Sequence, residues 1–160
     1  MARTRAKTTG RREQGSFIAL PHAMLESPEY ASLSAHAVKL LLDLFSQYRG
    51  DNNGDFTAAW KLMKPRGWTS KAMLYRALEE LKDKGWIVTT RQGGRAGLGA
   101  NRVCSLFGVT WKPIDACEGK LDVAATRVAS AMWRHENQKA TPPVDRIGPT
   151  AVPIEGGEYA

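Results

Sequence analysis

Residues 69–87 read TSKAMLYRALEELKDKGWI, and this stretch decides the fold. Thr69 or Ser70 can cap a helix that runs to Lys84, and Gly85 can end it. Apolar side chains recur within it at intervals of three and four residues, so one face should be buried. Those side chains are Leu74, Ala77, Leu78 and Leu81. After the glycine the sequence changes to residues that favour β-strands, so a strand should follow the helix directly.

The residues before this stretch predict two further helices. Ser34 is spaced to cap a helix that Gly50 ends. Thr57 can cap a short helix through about Lys64, where Pro65 prevents continuation. Two helices joined by a short turn that contains glycine form a helix-turn-helix unit, and its second helix enters the major groove of DNA.

The residues after it predict a hairpin. Residues 86–91 and 103–111 are rich in strand-forming residues, and the glycine-rich segment 93–101 connects them. A two-stranded hairpin directly after the second helix of a helix-turn-helix is called a wing. The predicted fold class is therefore α+β, mainly α: a winged helix-turn-helix with a two-stranded wing, over residues 16–115.

The remainder of the 160 residues lies on either side of that domain. Residues 1–15 hold five basic residues against one acidic residue, which predicts a basic, disordered arm. Residues 116–160 form a C-terminal extension. Within it, residues 121–137 carry an apolar stripe that suits a helix but has no strong cap, and a disordered tail rich in proline and glycine follows.

The overall composition limits the class of protein. The net charge is +7 and 42% of the residues are hydrophobic, which indicates a basic protein with a packed core. The longest apolar run, at residues 40–42, is far too short to span a membrane. Two cysteines provide neither a disulfide framework nor a metal cage. We expect a soluble, cytoplasmic, nucleoid-associated protein without membrane contact.

Patterns typical of catalysis or metal binding do not occur in the sequence. Residues 94–99 lack the Lys-Ser/Thr of a phosphate-binding loop and lead into a strand instead of a helix. Phe56 and Leu62 stand where a calcium loop starting at Asp51 would need glycine and glutamate. The possible zinc ligands do not have the spacing of a zinc site. They are His22, His36, His135, Cys104 and Cys117. The tryptophans expected in the core are Trp60, Trp68 and Trp86. We expect no enzyme activity, no metal and no cofactor.

Residues 69–87 resemble the recognition helix and first wing strand of bacterial winged helix-turn-helix proteins. The matching positions are Ser70-Lys71, Leu74, Ala77-Leu78, Leu81 and Gly85. GntR-type regulators and the DNA-binding domains of phage and plasmid replication proteins share this pattern. Residues 17–54, with Leu33-Ser34 and Asn52-Asn53-Gly54, are similar to a small family of phage- and plasmid-associated helix-turn-helix proteins. The resemblance spans residues 17–115. It implies sequence-specific binding of double-stranded DNA, either in transcription regulation or at a replication origin.

The sequence departs from the regulator pattern in two ways. The turn before the recognition helix reads Lys64-Pro65-Arg66-Gly67-Trp68, where the family has a plain Leu-Gly-Val turn, so the angle between the helices is left open. No sizeable effector domain follows, so no small-molecule effector is evident. A homodimer is left open as well, with residues 121–137 as the one candidate contact.

The candidate DNA contacts fall into three groups. On the recognition helix they are Thr69, Ser70, Lys71, Tyr75 and Arg76, because the start of such a helix reaches bases and phosphates. In the wing they are Arg95 for the minor groove, with Arg91 and Arg102 for phosphates. In the arm, as phosphate contacts, they are Arg3, Arg5, Lys7, Arg11 and Arg12.

Each group also has a plainer interpretation. The arm can be a solubilising terminus, the helix face an ordinary solvated surface, and the glycines of the hairpin merely a source of positive φ angles. A winged helix can also present the same helix and hairpin to another protein. The alternative function is therefore a protein-interaction module that inhibits or recruits a partner protein.

Overall fold

The structure is a computed structural model and describes residues 15–95, 99 and 101–138. Within these residues the chain is α+β. The helices are α1 (His22–Leu25), α2 (Pro28–Ala31), α3 (Ala35–Phe45), α4 (Trp60–Met63), α5 (Lys71–Asp83) and α6 (His135–Gln138). The strands are β1 (Ile87–Arg91), β2 (Gly94–Arg95), β3 (Arg102–Val103) and β4 (Leu106–Val109). Except for Gly15, the predicted basic arm lies outside the described residues, as does the tail beyond 138.

Three helices begin at a serine that caps them. The hydroxyls of Ser27, Ser34 and Ser70 each accept a hydrogen bond from a backbone N–H three residues ahead, at the starts of α2, α3 and α5. The sequence left Thr69 and Ser70 open as the cap of α5, and the structure selects Ser70. These bonds satisfy N–H groups that have no partner within the helix.

Helix α4 is shorter than predicted. The expected cap, Thr57, instead accepts a hydrogen bond from the N–H of Ala59 at 3.2 Å, in the turn before the helix. The helix then makes a single turn from Trp60 to Met63 and tightens into a 3₁₀ turn over Lys64–Arg66. The short helix before α5 is therefore present, but its cap position is Ala59, two residues later than the predicted cap.

The core lies between the apolar faces of α3 and α5 and the sheet that follows them. Strands β1 and β4 pair antiparallel, with Ile87 opposite Val109. Phe56, in the segment between α3 and α4, forms an isolated bridge with Phe107 on β4, with N–O distances of 3.1 and 2.8 Å. The segment between the first two helices of the predicted motif is thus tied to the hairpin.

Asn53 fastens the chain after β4 to the turn after α3. Its side chain is fully buried, and its Oδ1 accepts a hydrogen bond from the N–H of Val109 at 2.8 Å. Its Nδ2 lies within hydrogen-bond distance of the carbonyl oxygens of Val109, Lys112 and Pro113. A single side chain therefore holds residues 109–113 against the turn after α3.

The packed part of the chain extends beyond residue 115, where the prediction ended it. Trp133 is buried and stacks on Trp86 with ring centroids 5.3 Å apart. Residues 116–134, which we call the strap, cross the domain without forming the predicted helix. They contain one 3₁₀ turn at Cys117–Gly119, and an α-helix begins only at His135. The physical reason is that backbone N–H groups of the strap bond to distant carbonyls. The pairs are Asp122 to Thr90, Thr126 to Ile114 and Ala131 to Thr110.

No helix within the described ranges is long and apolar enough to cross a membrane.

Glu80 on α5 secures the start of α3. Its carboxylate accepts hydrogen bonds from the backbone N–H of Ser34 at 2.9 Å and from the hydroxyl of Ser34 at 2.6 Å. Lys84 pairs with the same carboxylate at 2.9 Å. Burial raises the pKa of Glu80, but the hydrogen bonds from Ser34 and Lys84 outweigh it, so the pKa lies below its ordinary value.

We expect Glu80→Gln to lower the free energy of unfolding by about 1 kcal/mol, because charge-assisted bonds to Ser34 become neutral ones. Urea unfolding at neutral pH measures the change. Glu79→Gln is the matched control, since Glu79 is more exposed than Glu80 and pairs only with Lys82 among the described residues, at 3.0 Å, and such near-surface pairs contribute little. Equal losses in the two variants would contradict the structural role of Glu80.

Candidate nucleic-acid interface

A buried carboxylate holds the turn between α4 and α5. Asp43 on α3 accepts hydrogen bonds from Arg66 Nε at 2.9 Å and from Trp68 Nε1 at 2.8 Å. Lys39 pairs with the same carboxylate at 2.8 Å and also donates to the carbonyl oxygen of Arg66. Gly67 has φ +90°, a left-handed conformation that glycine adopts without strain and that reverses the chain. The turn whose sequence departs from the regulator pattern is therefore fixed against α3.

Asp43 keeps its negative charge although its carboxylate is buried. Burial raises its pKa, but the hydrogen bonds from Lys39, Trp68 and Arg66 outweigh that effect, so the pKa lies below its ordinary value. The carboxylate is consequently ionised at neutral pH and matches the two cations beside it.

The first turns of α5 present polar side chains to solvent. The exposed candidates there are Thr69, Lys71, Tyr75 and Arg76. Tyr75 is 66% exposed, and Lys71 Nζ lies 5.8 Å from the ring centroid of Trp60. The side chains of Lys71, Tyr75 and Arg76 make no hydrogen bond or ion pair with any residue that the structure describes. Ser70 differs, because its hydroxyl accepts the capping bond from the N–H of Met73 at 3.4 Å.

A cleft separates the start of α5 from the base of the hairpin. Its volume is about 330 Å³. The apolar part of its lining consists of Leu74, Leu78, Phe107 and the ring of Trp60. Its polar lining includes Lys71, Tyr75, Glu79, Lys82, Gln92, Cys104 and Ser105. Two of the predicted contacts, Lys71 and Tyr75, are thus brought together at the cleft. Arg76 is not part of its lining, because adjacent residues on a helix point about 100° apart.

The arginines of the hairpin fall into two structural roles. Arg95 on β2 lies directly opposite Arg102 on β3, and both are exposed. Side chains directly opposite each other in an antiparallel ladder project from the same face, and like charges there are destabilising. Neither arginine has a carboxylate partner within the described residues. Arg91 instead braces the hairpin, because its Nε and Nη2 donate to the carbonyl oxygen of Cys104 at 3.2 and 3.0 Å.

The charge of α5 changes sign along its length. Its first turns hold Lys71 and Arg76, whereas its second half holds Glu79, Glu80 and Asp83. The two glutamates are paired with Lys82 and Lys84. A polyanion is therefore favoured at the start of the helix and disfavoured at its end.

The structure adds one feature that the sequence did not indicate. Trp60 was expected in the core, together with Trp68 and Trp86. Trp68 and Trp86 are buried, but Trp60 is only partly buried, and its ring forms a wall of the cleft. The sequence carried no signal for this position, because it placed the cap of α4 at Thr57, whereas the helix starts at Trp60.

Comparisons of the chain with models of protein families, with curated proteins and with solved structures found no match. The functional assignment consequently depends on the arrangement of the described residues.

Proposed function

We propose that the protein binds double-stranded DNA in a sequence-specific manner through a winged helix-turn-helix. The order of elements supports this: α3, the short α4, a fixed turn, α5, and then a hairpin. Helix α5 has 13 residues and is about 20 Å long, and a helix with side chains is about 10–12 Å across. The major groove is about 12 Å wide and admits one such helix.

The pairing of Arg95 with Arg102 is the observation that carries the proposal. Two guanidinium groups on one face of an exposed ladder repel each other, and no described carboxylate offsets them. Phosphates of a duplex would offset both charges. The cleft places the base of this hairpin opposite the start of α5, so hairpin and helix can contact one duplex together.

The proposed contacts differ from one position to the next. Lys71 and Tyr75 are assigned to base edges, and the free N–H groups at the start of α5 are assigned to a phosphate, with Thr69 beside them. Arg95 and Arg102 act as a pair on the backbone or in the minor groove. Arg76 lies beside the cleft on α5 and is proposed as a further DNA contact. Arg91 is proposed as a weaker phosphate contact, because part of its guanidinium already donates to Cys104. The five cations of the arm are proposed as phosphate contacts.

DNA binding narrows the biological role to a class of processes and does not select one of them. Transcription regulation and replication-origin binding, on a phage or plasmid, both use such a domain. A homodimer stays a prediction. Its candidate contact is still residues 121–137, where Val123 and Val128 are 44% and 76% exposed.

We expect the double variant Arg95→Ala/Arg102→Ala to weaken binding to all duplexes alike and to make its salt dependence shallower. Removal of two phosphate contacts should change the slope of log K against log salt by about 2. Selection from a random duplex pool first identifies a target, and fluorescence anisotropy over a salt series then measures the slope.

The matched control is Arg49→Ala/Arg127→Ala, which removes the same charge at exposed positions outside the hairpin and the cleft. Equal slopes in the two double variants would refute the role of the hairpin pair. If the pool yields no enriched duplex for the wild type, the protein-interaction alternative is favoured instead.

A further inference from the structure

We propose that the cleft between α5 and the hairpin binds a small, planar aromatic carboxylate, and that this ligand and DNA exclude each other. The binding half of the inference stands without the proposed function, whereas the exclusion half rests on it.

The size and lining of the cleft match a small-molecule site. Its volume of about 330 Å³ is at the lower end of the range for such sites, which is about 300–1,000 Å³. Leu74, Leu78 and Phe107 are buried side chains that supply an apolar floor. The partly buried ring of Trp60 supplies a flat wall. A flat ring can bury its faces against these groups, while a flexible aliphatic chain would lose more conformational freedom there.

The charge at the mouth of the cleft selects an anionic ligand. Glu79 and Lys82 both line the cleft and neutralise each other at 3.0 Å. Lys71 has no such partner among the described residues, and its ammonium lies over the Trp60 ring. The mouth therefore carries one uncompensated positive charge directly beside an aromatic wall. A ring bearing one carboxylate satisfies both features, because it can stack on Trp60 once the exposed Lys71 ammonium moves from above that ring to pair with the carboxylate.

Polar groups on the hairpin side can fix the orientation of the ligand. Gln92 lies on the lining and offers an amide donor. Ser105 accepts a hydrogen bond from the N–H of Gly93 at 2.9 Å, so its own hydroxyl hydrogen can point to a ligand oxygen. Few convergent polar groups above an apolar floor are typical of sites that recognise small molecules.

Exclusion of DNA follows from the shared residues. Lys71 and Tyr75 belong both to the cleft and to the proposed DNA contacts. A bound carboxylate would neutralise Lys71 and place a negative charge where a phosphate or a base edge approaches. The coupling must be reciprocal, so duplex DNA should weaken the ligand by the same factor by which the ligand weakens DNA.

The first experiment titrates the full chain with 2-naphthoate as the probe, without DNA, and follows backbone and indole N–H signals by NMR. We expect shifts confined to residues 57–60, 71–82, 89–92 and 104–107. The neutral 2-naphthamide should bind at least about tenfold more weakly, because it forfeits the charged contact with Lys71. Equal affinity for the two compounds, or shifts centred elsewhere, would overturn the site.

Variants separate the charge from the shape of the cleft. Lys71→Met keeps most of the aliphatic side chain but removes the charge, and we expect about a tenfold loss for 2-naphthoate and little change for 2-naphthamide. Arg76→Met is the control on the same helix, outside the lining, and should change neither affinity. Loss of affinity for both compounds in Lys71→Met would assign Lys71 a structural role and contradict the proposal.

A thiol measurement provides an independent readout on the wild-type chain. The sequence has two cysteines, of which Cys104 is exposed on the lining of the cleft and Cys117 is buried. Saturating 2-naphthoate should slow the alkylation of Cys104 by iodoacetamide in proportion to occupancy. An unchanged rate would place the probe outside the cleft.

The second half is tested with the selected duplex. Saturating 2-naphthoate should weaken duplex binding by the wild type, and Arg49→Ala, at an exposed position outside the cleft and the hairpin, should keep this competition. If 2-naphthoate binds the cleft and leaves duplex affinity unchanged, the exclusion half fails. If no duplex is bound at all, the proposed function fails, while the titration without DNA still decides the site.

Discussion

Replacement of Asn53 by alanine is expected to lower the free energy of unfolding by about 3 kcal/mol. The buried amide accepts a hydrogen bond from the N–H of Val109 at 2.8 Å, and its two N–H groups share the carbonyl oxygens of Val109, Lys112 and Pro113, which lie 3.0, 3.1 and 2.8 Å from Nδ2. Alanine offers no replacement for these bonds, and each buried group that loses its partner costs about 1–3 kcal/mol. Urea unfolding followed by circular dichroism at neutral pH measures the loss.

Two further variants separate hydrogen bonding from shape. Asn53→Asp preserves volume but, when ionised, presents only acceptors to the three carbonyl oxygens, so it should be at least as destabilising as alanine. Asn52→Ala is the neighbouring control and should cost about 1 kcal/mol, because Asn52 is half-buried and bonds only to Arg49 and Gln47. Wild-type stability in Asn53→Asp would show that the donors of this amide are dispensable.

Replacement of Asp43 by alanine should also cost about 3 kcal/mol. The change leaves the indole N–H of Trp68 buried without a partner, and it brings the cations of Lys39 and Arg66 together without the carboxylate between them. Because this carboxylate fixes the turn before α5, duplex affinity should fall as well at temperatures where the variant is still folded. An affinity equal to the wild type in the folded variant would show that the turn does not position α5.

The effect of Asp43 should depend on pH in a defined direction. Its pKa in the folded state lies below the ordinary value of 3.8, so its contribution to stability is complete above that value. The contribution is lost as the pH falls through the lower, folded pKa. The difference in unfolding free energy between the wild type and Asp43→Ala should therefore be constant near neutral pH and shrink below about pH 4. A difference that grows in acid would contradict the assignment.

Local signals in the sequence predicted the helices well because their causes are local. Ser34 and Ser70 each cap the helix that directly follows, and the apolar spacing of α5 matches its buried face. The end of α3 was less predictable. Gly50 was expected to end it, but the helix stops at Phe45. Just beyond its end, the side chain of Gln47 bonds to both backbone groups of Thr57 at 3.0 Å. A contact across ten residues thus helps hold the chain in a non-helical turn.

The contacts that fix the domain were beyond sequence analysis because they join distant residues. Nothing in the pattern around Asn53 reveals carbonyl oxygens 56 to 60 residues away. The strap was mistaken for a helix for the same reason: its stripe of apolar residues was visible, but its bonding partners were not. The α+β class depends only on the local elements and was predicted correctly.

Some features of the candidate site were also predictable from local sequence, and others depend on contacts between distant residues. The exposure of Lys71, Tyr75 and Arg76 followed from the helical period of α5. The pairing of Arg95 with Arg102 depends on the register of the hairpin, which a glycine-rich connector does not specify. The cleft forms between α5 and the hairpin, so it depends on how these two elements pack against each other. The sequence pattern alone therefore does not predict it.

The stack of Trp133 on Trp86 should contribute to the near-ultraviolet circular dichroism of the protein. Trp111 meets Trp86 edge-on at 6.2 Å, and so does Tyr30, which places four aromatic rings from widely separated parts of the chain in one cluster. Chromophores held this close in a fixed orientation share their excited states, and near-ultraviolet dichroism is sensitive to such packing. Detachment of the strap would therefore remove Trp133 from this cluster and reduce the near-ultraviolet dichroism, while the helical far-ultraviolet signal of α3 and α5 persisted.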